Sequence, residues 1–234
     1  MSSAPFTLRP GITFNVPECA RYGFEFFTTH SPEMIAEMDA FLNLAEGCSR
    51  LLDIGGYHGL FSLAFCASQE HRVAWAVEPA PGPFAGLSDC IDCNRDLTIS
   101  AFIGAFSSTD GIITMGHEWE HAVVKPRWND AGKEDMLVLA VNGDNWCHHN
   151  SFFPDIIKVD VEGHEMKVLK GLENILSDRH PKLLVELHPE NLPLEGDSEE
   201  GIVQFLLSLG YKAFDLNFQP VIHAGHRHMI FIHD

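Results

Sequence analysis

Positive charge is scarce in this 234-residue chain, which has 15 Lys and Arg against 33 Asp and Glu, a net −18 with histidine neutral. A protein that grips phosphate backbones relies on clustered basic side chains, so neither nucleic acid nor an anionic membrane surface is expected as a partner. The 14 histidines would add positive charge only below roughly pH 6.5. Cysteine is sparse too. Six residues (Cys19, Cys48, Cys66, Cys90, Cys93 and Cys147) are too few for a disulfide scaffold. Cys90 and Cys93 form a CxxC, but the surrounding segment reads as helix and no second pair completes a zinc set, so reduced structural thiols are expected. No run approaches the ~20 apolar residues of a membrane span. The first residues lack the basic start and apolar stretch of a secretory signal, and a soluble cytoplasmic protein is the expectation. Low-complexity tracts and solenoid-period repeats are also missing.

What is present is an ordinary globular composition, 45% hydrophobic, with length for one enlarged α/β domain rather than two. Residues 1–48 read as an N-terminal helical appendage. Within it Ser31 can cap a helix, Pro32 suits the first helical position, and Met34, Ile35, Met38, Phe41 and Leu42 follow helical spacing up to Gly47. From residue 49 to 234 strand and helix alternate. Apolar strands are expected at 50–56, 72–79, 97–107, 155–163 and 182–189, with helices after them. The last two strand-like runs, 211–217 and 227–234, are close enough in sequence to pair antiparallel. Strands apolar on both sides point to a parallel sheet covered by helices on both faces. Residues 108–153 break the repeat and read as a β-rich insertion, with strand-like pieces at 111–115 and 136–141.

Four clusters carry chemistry. In LLDIGGYHGLFS a strand ends at Asp53 and turns through Gly55, Gly56 and Gly59 into a helix. The pattern is DxGxxxG, not GxGxxG, and Asp53 puts negative charge where a dinucleotide's phosphates would lie. A ligand with an ammonium group and no phosphate suits it better, and S-adenosylmethionine (SAM) is such a ligand. Glu78, at the end of the second strand, can accept hydrogen bonds from both ribose hydroxyls. In DIIKVDVEGHE, Asp160 and Glu162 fall at the carboxyl end of a buried strand, with Lys158 on the same face as Asp160. In LLVELHPE, Glu186 and His188 share a face at the next strand end. Asp160, Glu162, Glu186 and His188 can therefore converge, as base and substrate clamp or as ligands of a divalent cation. The expectation is a metal-free crevice, since Lys158 already supplies positive charge there, with His188 the base by its intrinsic pKa.

LLDIGGYHGLFS, VEPAPGPFAGLSDCIDCN, PDIIKVDVEGHEMKVLKG and LLVELHPE together resemble the successive blocks of the FkbM family of SAM-dependent methyltransferases, over about residues 50–190. The resemblance implies the class I, Rossmann-like fold: a seven-stranded, mostly parallel sheet of order 3-2-1-4-5-7-6 with an antiparallel last strand. It implies methylation of hydroxyl oxygens on small molecules such as sugars or polyketides. Asp53, Gly55 and Gly59 would form the SAM loop, Glu78 would hold the ribose, Asn94 would match the Asn closing the second helix, and Ala105 would lie by the adenine. Asp144 would match an Asp shortly before the fourth strand. Tyr57 departs from the family, which carries Ala-Asn where this chain has Gly56-Tyr57; a tyrosine there can stack on or cover the cofactor. Asp160, Glu162 and His188 are the candidate catalytic residues. Two other readings are carried alongside, a non-catalytic SAM-fold binding module and an NAD(P)-dependent oxidoreductase. The DxGxxxG spacing argues against the second.

Overall fold

The computed structural model describes residues 2–118, 121–124 and 135–233. The chain divides into two compact units, one ending at Ile103 and one beginning at Gly104. Among the described residues no helix is long and apolar enough to cross a membrane.

The first unit opens with a hairpin that helical periodicity did not reveal. Strands β1 (Ser3–Arg9) and β2 (Ile12–Pro17) pair antiparallel around Gly11, whose φ of +84° suits the tight turn. An isolated hairpin is marginal in water. This one buries Phe6, Leu8, Phe14 and Val16, and Phe24 of helix α1 (Glu18–Thr29) lies edge-on to Phe6 and Phe14, ring centres 6.1 and 6.3 Å away. Helix α2 (Pro32–Leu44) starts as the sequence predicts, with Ser31 Oγ accepting from the Met34 N–H, Pro32 at the first turn and Glu33 at the positive end of the dipole. Then come β3 (Arg50–Ile54), α3 (Leu60–Ser68), β4 (Val73–Glu78), α4 (Pro81–Asp92) and β5 (Thr98–Ile103). The three strands are parallel, with β4 in the middle. Leu51, Leu52 and Ile54 are all buried, so β3 is covered on both faces.

In the second unit β6 (Ala105–Ser107), β7 (Gly111–Glu118), β8 (His121–Val124) and β9 (Met136–Asn142) form a small sheet of order β6-β9-β7-β8. The run 97–107, expected as one strand, is divided at Gly104, and its last three residues pair with β9. The strand-like pieces at 111–115 and 136–141 lie in β7 and β9; positions 119–120 and 125–134 of the expected insertion fall outside the described residues. Helix α5 (Gly143–His149) leads to β10 (Ile156–Val159), α6 (Glu165–Gly171), α7 (Glu173–Arg179) and β11 (Lys182–Glu186). After a single 3₁₀ turn at Leu192–Glu195 follow α8 (Glu199–Ser208), β12 (Tyr211–Phe214), β13 (Pro220–Val221) and β14 (His228–His233). Strand β10 is parallel to β11, while β14 lies between β11 and β12 and runs antiparallel to both. The last strand therefore has the direction the sequence predicts.

Local polar chemistry explains one further difference. The stretch after β10 is not one continuous helix but two helices meeting at Leu172, which offers no capping side chain. Asp144 of α5 supplies the cap instead: Oδ2 accepts from the Asn174 N–H (3.0 Å) and Nδ2 (2.9 Å), and Oδ1 from the Ile175 N–H (2.9 Å). The six cysteines are free thiols. Burial pushes Cys66, Cys90 and Cys147 up to about 12, which makes them inert structural thiols at neutral pH.

Candidate active site

In the first unit the site is the turn from β3 into α3. Asp53, at 1% exposure, holds Oδ2 2.7 Å from the Ser62 hydroxyl, which donates to it from the first turn of α3. The backbone then bends back on β4, the N–H groups of Gly55 and Gly56 both donating to the Val77 carbonyl (2.9 and 3.0 Å). Glu78, also buried, clasps the turn: Oε2 accepts from the Tyr57 N–H (3.0 Å) and Oε1 from the Ala80 N–H (2.8 Å). Gly59 caps α3 with φ +83°, and a Cβ there would sit 2.6 Å from Leu87 Cδ1. Both its conformation and its space require glycine. Tyr57 is half-buried with φ +48°, its ring stacked on His58 at 4.1 Å. No Lys or Arg occurs from 53 to 62. Two carboxylates beside the turn suit an adenosyl group carrying an ammonium and a sulfonium, and their charge opposes a pyrophosphate.

Two residues assigned to the cofactor by resemblance also have structural partners. Asn94 joins the hairpin to the end of α4: Oδ1 accepts from the Asn15 N–H (2.7 Å), and Nδ2 donates to the carbonyls of Asn15 and Cys90 (2.7 Å each). Those three bonds fix the position of the amide at the end of α4. Ala105, in the second unit, packs in an apolar cluster with Met115 and Val138.

The second unit gathers the acidic residues. Asp160 follows β10 directly, Glu162 sits in the next turn at φ +53°, and Gly163 at φ +105° leads into α6. A Cβ on Gly163 would lie 2.5 Å from Asn191 Cβ, so the turn can approach the segment after His188 only as glycine. Glu186 ends β11, and His188 lies two residues on. The imidazole is 1% exposed. Its Nδ1–H donates to Glu165 Oε1 at 2.7 Å, an oxygen that also accepts from the Gly163 N–H (2.9 Å). Its Nε2 faces three carboxylates, at 3.4 Å from Glu162 Oε2, 3.6 Å from Glu186 Oε1 and 3.8 Å from Asp160 Oδ1. Two cations and a second imidazole flank the group: Lys158 Nζ is 2.8 Å from Asp160 Oδ2, Arg227 Nε is 2.7 Å from Glu186 Oε1, and His228 Nε2 is 3.4 Å from Glu186 Oε2.

This environment alters the assignment of His188. Burial by itself would lower its pKa, but the hydrogen bond and charge of Glu165, with the charges of Glu162 and Asp160, outweigh burial and push it up to about 9. With only protein around it the ring is an imidazolium at neutral pH and has no lone pair to accept a proton. The sequence argument from intrinsic pKa fails here for a physical reason, since four acids surround the ring. Burial would raise Glu186, yet His228, Lys158 and Arg227 hold it well below the usual carboxylate range. The four residues expected to converge do so. Sequence reasoning assigned no role to Glu165 or to Arg227, which lies 41 residues from its partner. A buried network nearby was also missed: His164 Nε2 lies 3.0 Å from Ser107 Oγ, with its Nδ1 3.4 Å from Glu195.

Parallel strands alternating with helices and closed by an antiparallel last strand define the class I SAM-methyltransferase fold. Solved structures share the fold. A methyltransferase FkbM from Methylobacillus flagellatus superposes with a TM-score of 0.58 at 16% identity, covering 90% of this chain and 52% of its own. A TehB-like SAM-dependent methyltransferase from Corynebacterium glutamicum gives 0.50 at 11% identity, covering 93% and 97%. Residues 53–213 match the model of the Methyltransferase FkbM domain, and the chain belongs to that family. SAM is the methyl donor of this class. Among curated proteins, the hexuronic acid methyltransferase AglP of Haloferax volcanii is 29% identical over 148 residues, 63% of this chain and 59% of that protein. The chain thus spans less than two thirds of the length of AglP and of the Methylobacillus structure.

Proposed function

We propose that this methyltransferase transfers the methyl group of SAM to a hydroxyl oxygen of a small molecule, with a sugar as the favoured acceptor class. The observation that carries the reading is the group of carboxylates held around His188, and the name of AglP supports a sugar-type acceptor. An alcohol is a poor nucleophile until its proton has somewhere to go, and a carboxylate in hydrogen-bond reach of the attacking oxygen supplies that. Residues 49–234 would form the catalytic domain, residues 1–48 an appendage, and the 108–153 insertion part of the acceptor's surroundings.

Bound SAM supplies an electrophilic methyl group on a positively charged sulfur. Asp53 and the Gly55–Gly59 turn hold the amino-acid end, Glu78 accepts from the ribose hydroxyls, and Tyr57 closes over the cofactor. Glu162 and Asp160, both partly exposed, would accept the acceptor's hydroxyl hydrogen bond, and one of them would take its proton when the methyl group that SAM supplies is transferred to the oxygen. His188 organises these acids and is not the base. Such general-base assistance is worth roughly 10²–10⁴-fold in rate, and alignment of the two reactants supplies much of the rest. The test is a panel of hydroxylated acceptors, hexuronic acids and neutral sugars first, incubated with methyl-labelled SAM. Label in an O-methyl product supports the proposal. SAM binding with no transfer to any acceptor would favour a non-catalytic binding module.

A further inference from the structure

We propose that Asp160, Glu186 and His188, with Glu162 beside them, form a binding site for one divalent cation of the Mg²⁺ or Mn²⁺ class. It would act on the acceptor's hydroxyl, a purpose that rests on the function proposed above, but the site itself does not depend on that reading. The sequence argued for a metal-free crevice because Lys158 supplies charge. The geometry points the other way.

The distances around Nε2 are the first reason. An imidazole N–H among three carboxylates would draw one to ~2.7–3.0 Å, as Nδ1 does with Glu165 at 2.7 Å. None comes closer to Nε2 than 3.4 Å, and Nε2, fully buried, makes no hydrogen bond among the described residues. Donor atoms that share an ion with bonds of about 2.1–2.2 Å lie roughly 3.0 Å apart at right angles and farther at wider angles. One ligand atom each from Asp160, Glu186 and His188 all fall within 4.8 Å of one another. The Nε2 distances exceed those of ordinary hydrogen bonds, and the three ligand atoms lie close enough together to converge on one cation.

The second reason is the far side of the ring. A metal-ligating histidine characteristically donates its other N–H to a carboxylate or carbonyl, which fixes the tautomer and aims the lone pair. Buried Glu165 does this to Nδ1. Charge is the third. Asp160, Glu162, Glu165 and Glu186 carry four negative charges, and Lys158 and Arg227 return two. The carboxylates outnumber these two fixed cations, and a divalent ion would displace the His188 proton to take the ring's lone pair. Carboxylate oxygens with a single imidazole suit Mn²⁺ or Mg²⁺ better than a soft metal.

The experiment uses the full chain, stripped with chelator and titrated with Mn²⁺ by calorimetry and by the electron paramagnetic resonance signal of free Mn²⁺. One equivalent should bind, and Glu186→Gln and His188→Gln should each weaken it at least tenfold with an unchanged far-ultraviolet circular dichroism spectrum. Glu162→Gln, at a more exposed position, keeps the test available if the buried variants fail to fold, and it should weaken binding severalfold. No stoichiometric Mn²⁺ binding by the wild type, or binding that all folded variants retain in full, overturns the site. Methyl transfer that proceeds undiminished in chelator would overturn its role while leaving the proposed function standing. Mn²⁺ bound at this site by a protein that methylates no hydroxyl would leave the site standing and refute that function.

Discussion

Replacing Glu78 by Gln separates a residue that binds the cofactor from one that only shapes a turn. Its carboxylate accepts from the Tyr57 and Ala80 N–H groups at 3.0 and 2.8 Å, and a glutamine offers one oxygen where there were two. One of those N–H groups then meets an amide NH₂, so a charge-assisted bond is lost and a buried donor is left unmatched. The cost should be about 1.5–3 kcal/mol of folding stability, measured by urea unfolding. If Glu78 also accepts the ribose hydroxyls, each lost ribose bond costs a similar amount, a roughly 10- to 150-fold weaker dissociation constant. Calorimetric titration with SAM and S-adenosylhomocysteine measures this. A 2′,3′-dideoxy analogue of S-adenosylhomocysteine separates direct contact from a loosened loop: it should bind the wild type far more weakly than the parent compound, and the variant only slightly more weakly. Unchanged SAM affinity in a destabilised but folded Glu78→Gln protein would show that Glu78 is only a clasp. An equal dideoxy penalty in both proteins would refute ribose contact in the same way.

Asp53→Asn keeps the Ser62 bond geometry but removes the charge. SAM affinity should fall at least tenfold, and NADH should bind neither protein; calorimetric detection of NADH on the wild type would sink the cofactor argument. Asp144→Ala strips three hydrogen bonds from the start of α7 and should cost about 2–4 kcal/mol in urea unfolding, whereas a loss below 0.5 would refute the capping role. In chelator-treated protein the His188 ring should titrate in nuclear magnetic resonance spectra near 9 rather than 6.5, and Glu165→Gln should bring it down by a unit or more. Because the folded pKa lies above the unfolded one, the stability this group adds is complete below about pH 6.5 and is lost as pH rises through 9. A His188 titration at or below 7 would contradict that.

The sequence by itself determined whatever depends on neighbours a few residues apart. Apolar runs followed by glycine and helical spacing located β3, β4, β10 and β11 and the helices after them. Ser31 and Pro32 marked the start of α2, and DxGxxxG with Glu78 marked the turn that suits an adenosyl ligand without phosphate. Strand-end positions also foretold that Asp160, Glu162, Glu186 and His188 would meet, because side chains two apart on a strand share a face. The tertiary structure decided what depends on partners far along the chain. The bonds that tie the Asn94 amide to Asn15, 79 residues away, leave no local signal. The N-terminal hairpin was invisible because its few apolar positions gain their value only from Phe24 packing over them. The protonation of His188 follows from Glu165, 23 residues distant, since a pKa is set by the charges and burial around a group and not by its residue type. Local periodicity carries no information about which charges a fold will press against one ring.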